Sequence, residues 1–199
     1  MTRKLEIPFF ALDRQFKRYK NEFLGIVEEV FSTGKVLQGA PVKDLEKKIA
    51  TRCNRKYAIA VGSCTDALAY ALISCGIKPG DEVLVTSLSF IASASPIIRV
   101  GGKPVFVDIE PDYYMMDLDD AEKKVTSKTK FLIAVHLFGQ CLNMDEVEKF
   151  AGKHNLTVIE DAAQSLGSSF NSRPAGNLGT ASCVSFDPTK VVGSFGSGG

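Results

Sequence analysis

Apolar residues along the chain fall into two textures. Between residues 12 and 31, Leu12, Phe16, Tyr19, Phe23, Val27 and Val30 recur at three-to-four spacing, which predicts an amphipathic helix stopped near Gly34. A second helix is expected over 42–52. Beyond it the texture changes to short, unbroken apolar runs separated by helical stretches. Strands are predicted at 57–61, 82–86, 104–108, 130–137, 156–160 and 181–186, and helices at 65–75, 90–99, 117–124 and 144–153. Gly76, Pro79-Gly80-Asp81 and Gly101-Gly102 punctuate them. The runs are continuous rather than alternating, as expected when helices cover both faces of a parallel sheet. Strand–helix alternation with short loops therefore argues an α/β domain with a mostly parallel, doubly wound sheet. Ligands of such sheets sit beyond the carboxyl ends of the strands. Ser63, Asp161 and the segment around Lys190 all fall at such ends.

Composition narrows the function classes. At 199 residues and 45% hydrophobic content, the chain fits one domain with a core large enough to stabilise itself. A formal net charge of +1 gives no electrostatic reason to expect nucleic acid or a membrane as partner. The lysines and glutamates of 43–48 and 121–130 read as solvated helix faces. Cysteines at 53, 64, 75, 141 and 183 form no Cys-x-x-Cys pair and leave an odd count, which favours free thiols in a reducing compartment. The N-terminus, Met1 to Pro8, lacks an apolar signal region, and no apolar run is long enough to span a bilayer. Asn155-Leu-Thr157 matches a glycosylation sequon by chance on that reading. A cytoplasmic location is expected. Two histidines and scattered cysteines give no ligand spacing, so no metal is expected.

Several residues can carry chemistry. Gly62-Ser63-Cys64-Thr65-Asp66 lies between a strand and a helix, where backbone N–H groups and the helix dipole favour an anion. The plainer reading is that Ser63 or Thr65 is an N-cap. The loop matches neither a nucleotide P-loop nor the dinucleotide glycine fingerprint, which leaves a phosphate on a smaller cofactor open. Asp161 ends an otherwise apolar strand; it could be a helix cap or ion-pair member, or the partner of a protonated ring nitrogen. Gln164 could reach a ring oxygen. Phe90 could stack on a ring or belong to the core. His136 reads as a buried histidine bonded to backbone, with a substrate-side role second, and His154 as a surface residue. Lys190 lies between an apolar strand and a glycine-rich loop; held against buried backbone, its amine becomes a usable nucleophile that can form a Schiff base. Such a lysine with a strand-end aspartate is the pairing that a pyridoxal 5'-phosphate site needs.

Phosphate loop, aromatic, aspartate and lysine follow one another on successive strand ends, and here the sequence resembles a known family. From Ile7 to the last residue it is similar to the large domain of the DegT/DnrJ/EryC1/StrS sugar aminotransferases, pyridoxal phosphate enzymes of fold type I. The resemblance rests on Gly62-Ser-Cys-Thr-Asp-Ala-Leu, Gly76-Ile-Lys-Pro-Gly-Asp-Glu-Val, Gly102-Lys-Pro-Val-Phe-Val-Asp-Ile, His136-Leu-Phe-Gly-Gln, Ile159-Glu-Asp-Ala-Ala-Gln-Ser and Ser185-Phe-Asp-Pro-Thr-Lys. It implies that Lys190 holds the cofactor covalently and then shuttles a proton. It also implies that Asp161 pairs with the pyridine nitrogen, Gln164 contacts the ring oxygen and Phe90 lies on the ring face. Cys64, Thr65 and Ser185 would hold the phosphate. The implied reaction moves an amino group, usually from glutamate, to the keto carbon of a nucleotide-linked sugar, for amino-sugar and surface-polysaccharide synthesis, in a homodimer.

Two positions depart from the pattern: Asp187 replaces a bulky or aromatic residue, and Ser197 replaces the aspartate common in Gly-Asp-Gly-Gly. Length departs more. The resemblance implies that residues 1–199 comprise an N-terminal segment and an incomplete cofactor-binding large domain, without the C-terminal small domain. Two readings follow: the cofactor half of a sugar aminotransferase, or a truncated non-catalytic module of the same fold that binds cofactor or a partner chain without turnover.

Overall fold

The computed structural model describes residues 7–199; Met1 to Glu6, part of the stretch read as lacking a signal region, lie outside the described residues. The chain forms two units, divided between Leu45 and Glu46. The first holds helix α1 (Leu12–Ser32), none of whose residues is buried. Its apolar stripe follows the predicted spacing, with the Phe16 and Phe23 rings edge-on at 6.5 Å. Gly34 ends it in the left-handed region at φ 68°, a conformation that costs glycine little. Helix α2 (Ala40–Arg52) runs across the division.

In the second unit, five parallel strands form one sheet: β1 (Glu82–Thr86), β2 (Lys103–Val107), β3 (Thr129–Val135), β4 (Thr157–Asp161) and β7 (Ala181–Cys183), in the order β2-β1-β3-β4-β7. The helices of this unit are α3 (Cys64–Ser74), α4 (Ser95–Arg99), α5 (Leu118–Lys124) and α6 (Met144–His154). Because successive strand residues point to opposite faces, each strand divides its side chains between two cores. Val83, Val85, Phe131, Ile133, Val135 and Ile159 join Leu68, Leu72 and Ile97 on one face. Leu84, Leu132, Ala134 and Val158 join Ala121, Met144, Val147 and Phe150 on the other. A right-handed crossover demands this split. The chain moves from β1 outward to β2 through α4 on the first face, then reverses and builds β3 and β4 through α5 and α6 on the second.

The structure corrects three predicted elements. Residues 57–61 are extended but do not join the sheet: Ala60 N–H goes to Glu46 Oε1, and only Val61 pairs, exchanging both backbone hydrogen bonds with Gly199. The helix expected over 90–99 is broken into a 3-10 turn (Ile91–Ser93) and α4, because Pro96 has no N–H to continue a helix and instead occupies the first turn of a new one. The strand expected to reach Phe186 stops at Cys183, where β4, its neighbour, ends at Asp161. A small hairpin, β5 (Ser169–Phe170) with β6 (Arg173–Pro174), was not predicted; its turn residues Asn171 and Ser172 both have positive φ, as a two-residue hairpin requires. No described helix is long and apolar enough to cross a membrane, and all five cysteines are free thiols.

Candidate active site

Helices α3 and α4 cover one face of the sheet, and β4 and β7 end side by side at Asp161 and Cys183. Asp161, the last residue of β4, points to that face, since its neighbours Glu160 and Ala162 point away from it. It is 4% exposed. Oδ2 accepts from Ser93 Oγ at 2.7 Å and Oδ1 from Ala163 N–H at 3.1 Å. Burial pushes this carboxyl above the usual range, against the Ser93 and Ala163 hydrogen bonds and the nearby Lys190 ammonium. A buried acceptor-only group with two neutral donors is under-compensated, and a cationic N–H would relieve it.

Lys190 follows β7 by seven residues and is half-buried. Its N–H donates to Asp187 O at 2.9 Å, closing a turn that the Asp187 carboxylate braces by accepting from Thr189 N–H at 2.9 Å and Thr189 Oγ1 at 2.6 Å. Those two bonds hold the Asp187 carboxyl below its ordinary value. The residue that departs from the family pattern thus builds the turn that presents the lysine. The chain then doubles back: Ser194 N–H reaches Phe186 O, Phe186 N–H reaches Gly198 O, and Gly199 pairs with Val61. This brings the glycine-rich loop against the start of α3, where a Cβ on Gly199 would fall 2.5 Å from Cys64 N.

Ser63 is the N-cap of α3; its Oγ accepts from Asp66 N–H at 3.1 Å and lies 2.9 Å from Asp66 Oδ2. The plain N-cap reading of Ser63 is therefore right. The amides of Cys64 and Thr65 have no carbonyl four residues behind them within the helix. The Cys64 thiol is buried beside Asp161 and Cys183, and burial first, then those neighbours, push its pKa far up, so it is a packed thiol rather than a reactive one. Ser185 is buried, with Oγ accepting from Asp187 N–H at 3.3 Å. Gln164 Oε1 accepts from Phe138 N–H at 2.9 Å, which fixes the amide and leaves its NH2 as the free end. Phe138 holds a left-handed φ of 56°, a strained setting for an aromatic residue. Phe90, just before the 3-10 turn at Ile91–Ser93, is 68% exposed, so its core reading fails. Asp161, Cys64 and Lys190 are close enough to share one electrostatic environment.

His136 is fully buried. Nδ1 accepts from Leu142 N–H at 3.2 Å, as a backbone-bonded histidine should. Its other ring nitrogen, Nε2, lies 3.2 Å from Glu160 Oε1. His154 is partly exposed; its ring packs on Phe150 and Nε2 meets the exposed Glu122 at Oε2, 2.8 Å away. Among the described residues no cluster of three or more His, Cys, Asp or Glu could hold a metal.

Sequence reasoning missed Ser93 and Glu160. Glu160 is fully buried on the face opposite Asp161, where it accepts from Gly176 N–H at 2.6 Å, Leu178 N–H at 2.8 Å and Ser182 Oγ at 2.5 Å. A carboxylate inside a buried strand was the available signal. Nothing in a loop serine marked Ser93.

The family model described as the DegT/DnrJ/EryC1/StrS aminotransferase family matches residues 17–199. The chain belongs to that family. A "Pleiotropic regulatory protein" of Geobacillus stearothermophilus is 42% identical over 98% of the chain and 52% of its own length. The UDP-2-acetamido-2-deoxy-3-oxo-D-glucuronate aminotransferase of Pseudomonas aeruginosa is 38% identical over 97% of the chain and 54% of its own length. Among solved structures, the Bacillus subtilis protein NtdA with bound cofactor PMP superposes with a TM-score of 0.90 at 34% identity, over 99% of the chain and 45% of NtdA. The chain thus spans about half the length of these DegT/DnrJ/EryC1/StrS relatives.

Proposed function

We propose that the chain carries the cofactor side of a pyridoxal phosphate-dependent aminotransferase, one that moves an amino group from an amino acid, glutamate, to the keto carbon of a nucleotide-linked sugar. The observation that carries this reading is the buried Asp161 carboxylate that ends β4, held by only two neutral donors, Ser93 Oγ and the Ala163 amide. The residues fit the cofactor. Lys190 would hold its carbonyl carbon and Asp161 its protonated ring nitrogen. The Gln164 amide would donate to the ring oxygen and the exposed Phe90 would lie on the ring face. Cys64, Thr65 and Ser185 would hold the phosphate through amides and a hydroxyl. When bound, the cofactor supplies an electron sink for the carbon whose proton is removed.

The chain's own part is positioning and proton transfer. Ser93 and the Ala163 amide hold Asp161 rigid, so its charge stays aimed at one point. The Asp187 turn holds the Lys190 backbone while leaving the side chain half-free, as a group that first anchors and then carries a proton requires. Support for the sugar comes from the relatives, one of which is named for a UDP-linked keto-sugar acid. The reading includes a homodimer in the cytoplasm and needs neither nucleic acid nor membrane.

The test is an absorption titration of the purified chain with pyridoxal phosphate. A visible band in the wild type, absent in Lys190→Ala, is the expected result. A band that persists in Lys190→Ala, or none in the wild type, overturns the reading.

A further inference from the structure

The start of α3 has an electrostatic problem of its own making. Asp66, the third residue of the helix, folds back on the loop: its Oδ2 lies 2.9 Å from Ser63 Oγ, and a Cβ on Gly62 would lie 3.3 Å from that same oxygen. A carboxylate there suits the helix dipole. It also puts a negative charge on the Gly62–Ser63 loop that leads into Cys64 and Thr65, and like charges repel an anion held at those amides. Arg99, the last residue of α4, meets it: Nη1 lies 2.8 Å from Asp66 Oδ1. The two oxygens are thus divided, one to the cap and one to the guanidinium.

We infer that Arg99 is a positioning residue for the cofactor phosphate, acting through Asp66 by cancelling the negative charge that the α3 cap places beside the phosphate seat. The inference rests on the function proposed above, since it names how that site tolerates its anion. Arg99 reaches the loop from a different helix, one already seated by buried Ile97. The guanidinium is half-exposed, which makes the effect sensitive to salt.

The experiment is a set of pyridoxal phosphate titrations on the full chain and on R99Q, R99K, D66N and the D66N/R99Q double variant, at low and high ionic strength. Removing the neutralising charge is expected to weaken binding in R99Q by about fivefold at low salt, and by less at high salt. R99K should stay within about twofold of wild type. D66N/R99Q should recover to within about twofold of D66N, because no uncompensated charge remains. Pyridoxal, which lacks the phosphate, should bind R99Q and wild type alike. Unchanged affinity in R99Q, or a double variant as weak as R99Q, overturns the inference. A parallel thermal melt with inorganic phosphate at constant ionic strength separates the two proposals. If the wild type forms no visible band, the aminotransferase reading fails. The charge-cancelling role of Arg99 toward an anion at α3 then survives if phosphate raises the Tm of wild type and D66N/R99Q more than that of R99Q, and falls if it does not.

Discussion

Ser93 Oγ donates to Asp161 Oδ2 at 2.7 Å across 68 residues of sequence. The 3-10 turn after β1 thereby supplies the stronger of the two hydrogen bonds that keep a buried carboxylate in place. Ser93→Ala removes it and leaves only the Ala163 amide. The loss of a buried hydrogen bond to an acidic group is expected to cost about 1–3 kcal/mol, read by urea denaturation. Pyridoxal phosphate affinity should fall with it. Unchanged stability would show that Asp161 is held by packing alone.

Asp161 also sets a pH dependence, and its sign is opposite to that of most carboxylates. Its folded pKa is raised above the ordinary 3.8, so the unfolded chain releases the proton first. Stability is therefore fully present below about pH 3.8 and lost as pH rises through the folded value. Asp161→Asn keeps the shape and removes this loss. Without cofactor, the variant is expected to gain on wild type as pH rises from 3.5 to 7.5, while losing cofactor affinity. A constant difference across that range in paired urea melts would refute the buried, under-compensated state of Asp161. The exchange of stability for a poised group is what functional sites commonly show.

On the other face of the same strand, Glu160 behaves in the usual direction. Burial alone would raise its pKa, but His136, the Ser182 hydroxyl and the Gly176 amide more than offset that and hold it below 4.5. Its stability contribution is present above pH 4.5 and lost as pH falls through the folded value. Glu160→Gln turns an NH2 donor toward donors that already point inward. The expected cost is about 3 kcal/mol at pH 7, shrinking below pH 4.5. Urea melts at pH 7 and pH 4 check both halves; a gap of equal size at the two pH values would count against it.

The contrast between these two neighbours explains what the sequence reveals and what it hides. Asp161 is legible because a carboxylate that ends an apolar strand stands at the ligand end of a parallel sheet. Glu160 is hidden beside it, since one polar strand end draws the eye while alternation sends the two side chains to opposite faces. The sheet itself is legible because both faces are buried, so β1, β3 and β4 read as unbroken apolar runs. Residues 57–61 read the same way yet lie outside the sheet; their apolar pattern carries no information about which strand, if any, lies alongside. Ser93 is invisible for a simpler reason. A loop serine has no periodicity, and only the fold brings it to Asp161.

Glycine at 193 is required by the turn that presents Lys190. The chain after the lysine folds back on the chain before it: Ser194 N–H and Oγ both reach Phe186 O, at 2.9 and 2.6 Å. A Cβ on Gly193 would meet the Pro188 backbone, with the carbonyl carbon at 2.9 Å and Cα at 3.1 Å. Backbone cannot swing aside as a flexible side chain can, so Gly193→Ala must open the Asp187–Lys190 turn. Gly198 is the matched control, because a Cβ there would make only ordinary contact with Phe186, its nearest atom at 3.6 Å. Gly193→Ala is expected to cost about 1–3 kcal/mol by overpacking, with the sheet and helices intact by circular dichroism. Its pyridoxal phosphate affinity should fall by about tenfold or more, as a displaced nucleophile implies. Gly198→Ala should bind within about twofold of wild type. Equal affinity in the two variants would mean that the Lys190 turn is not held by this close approach.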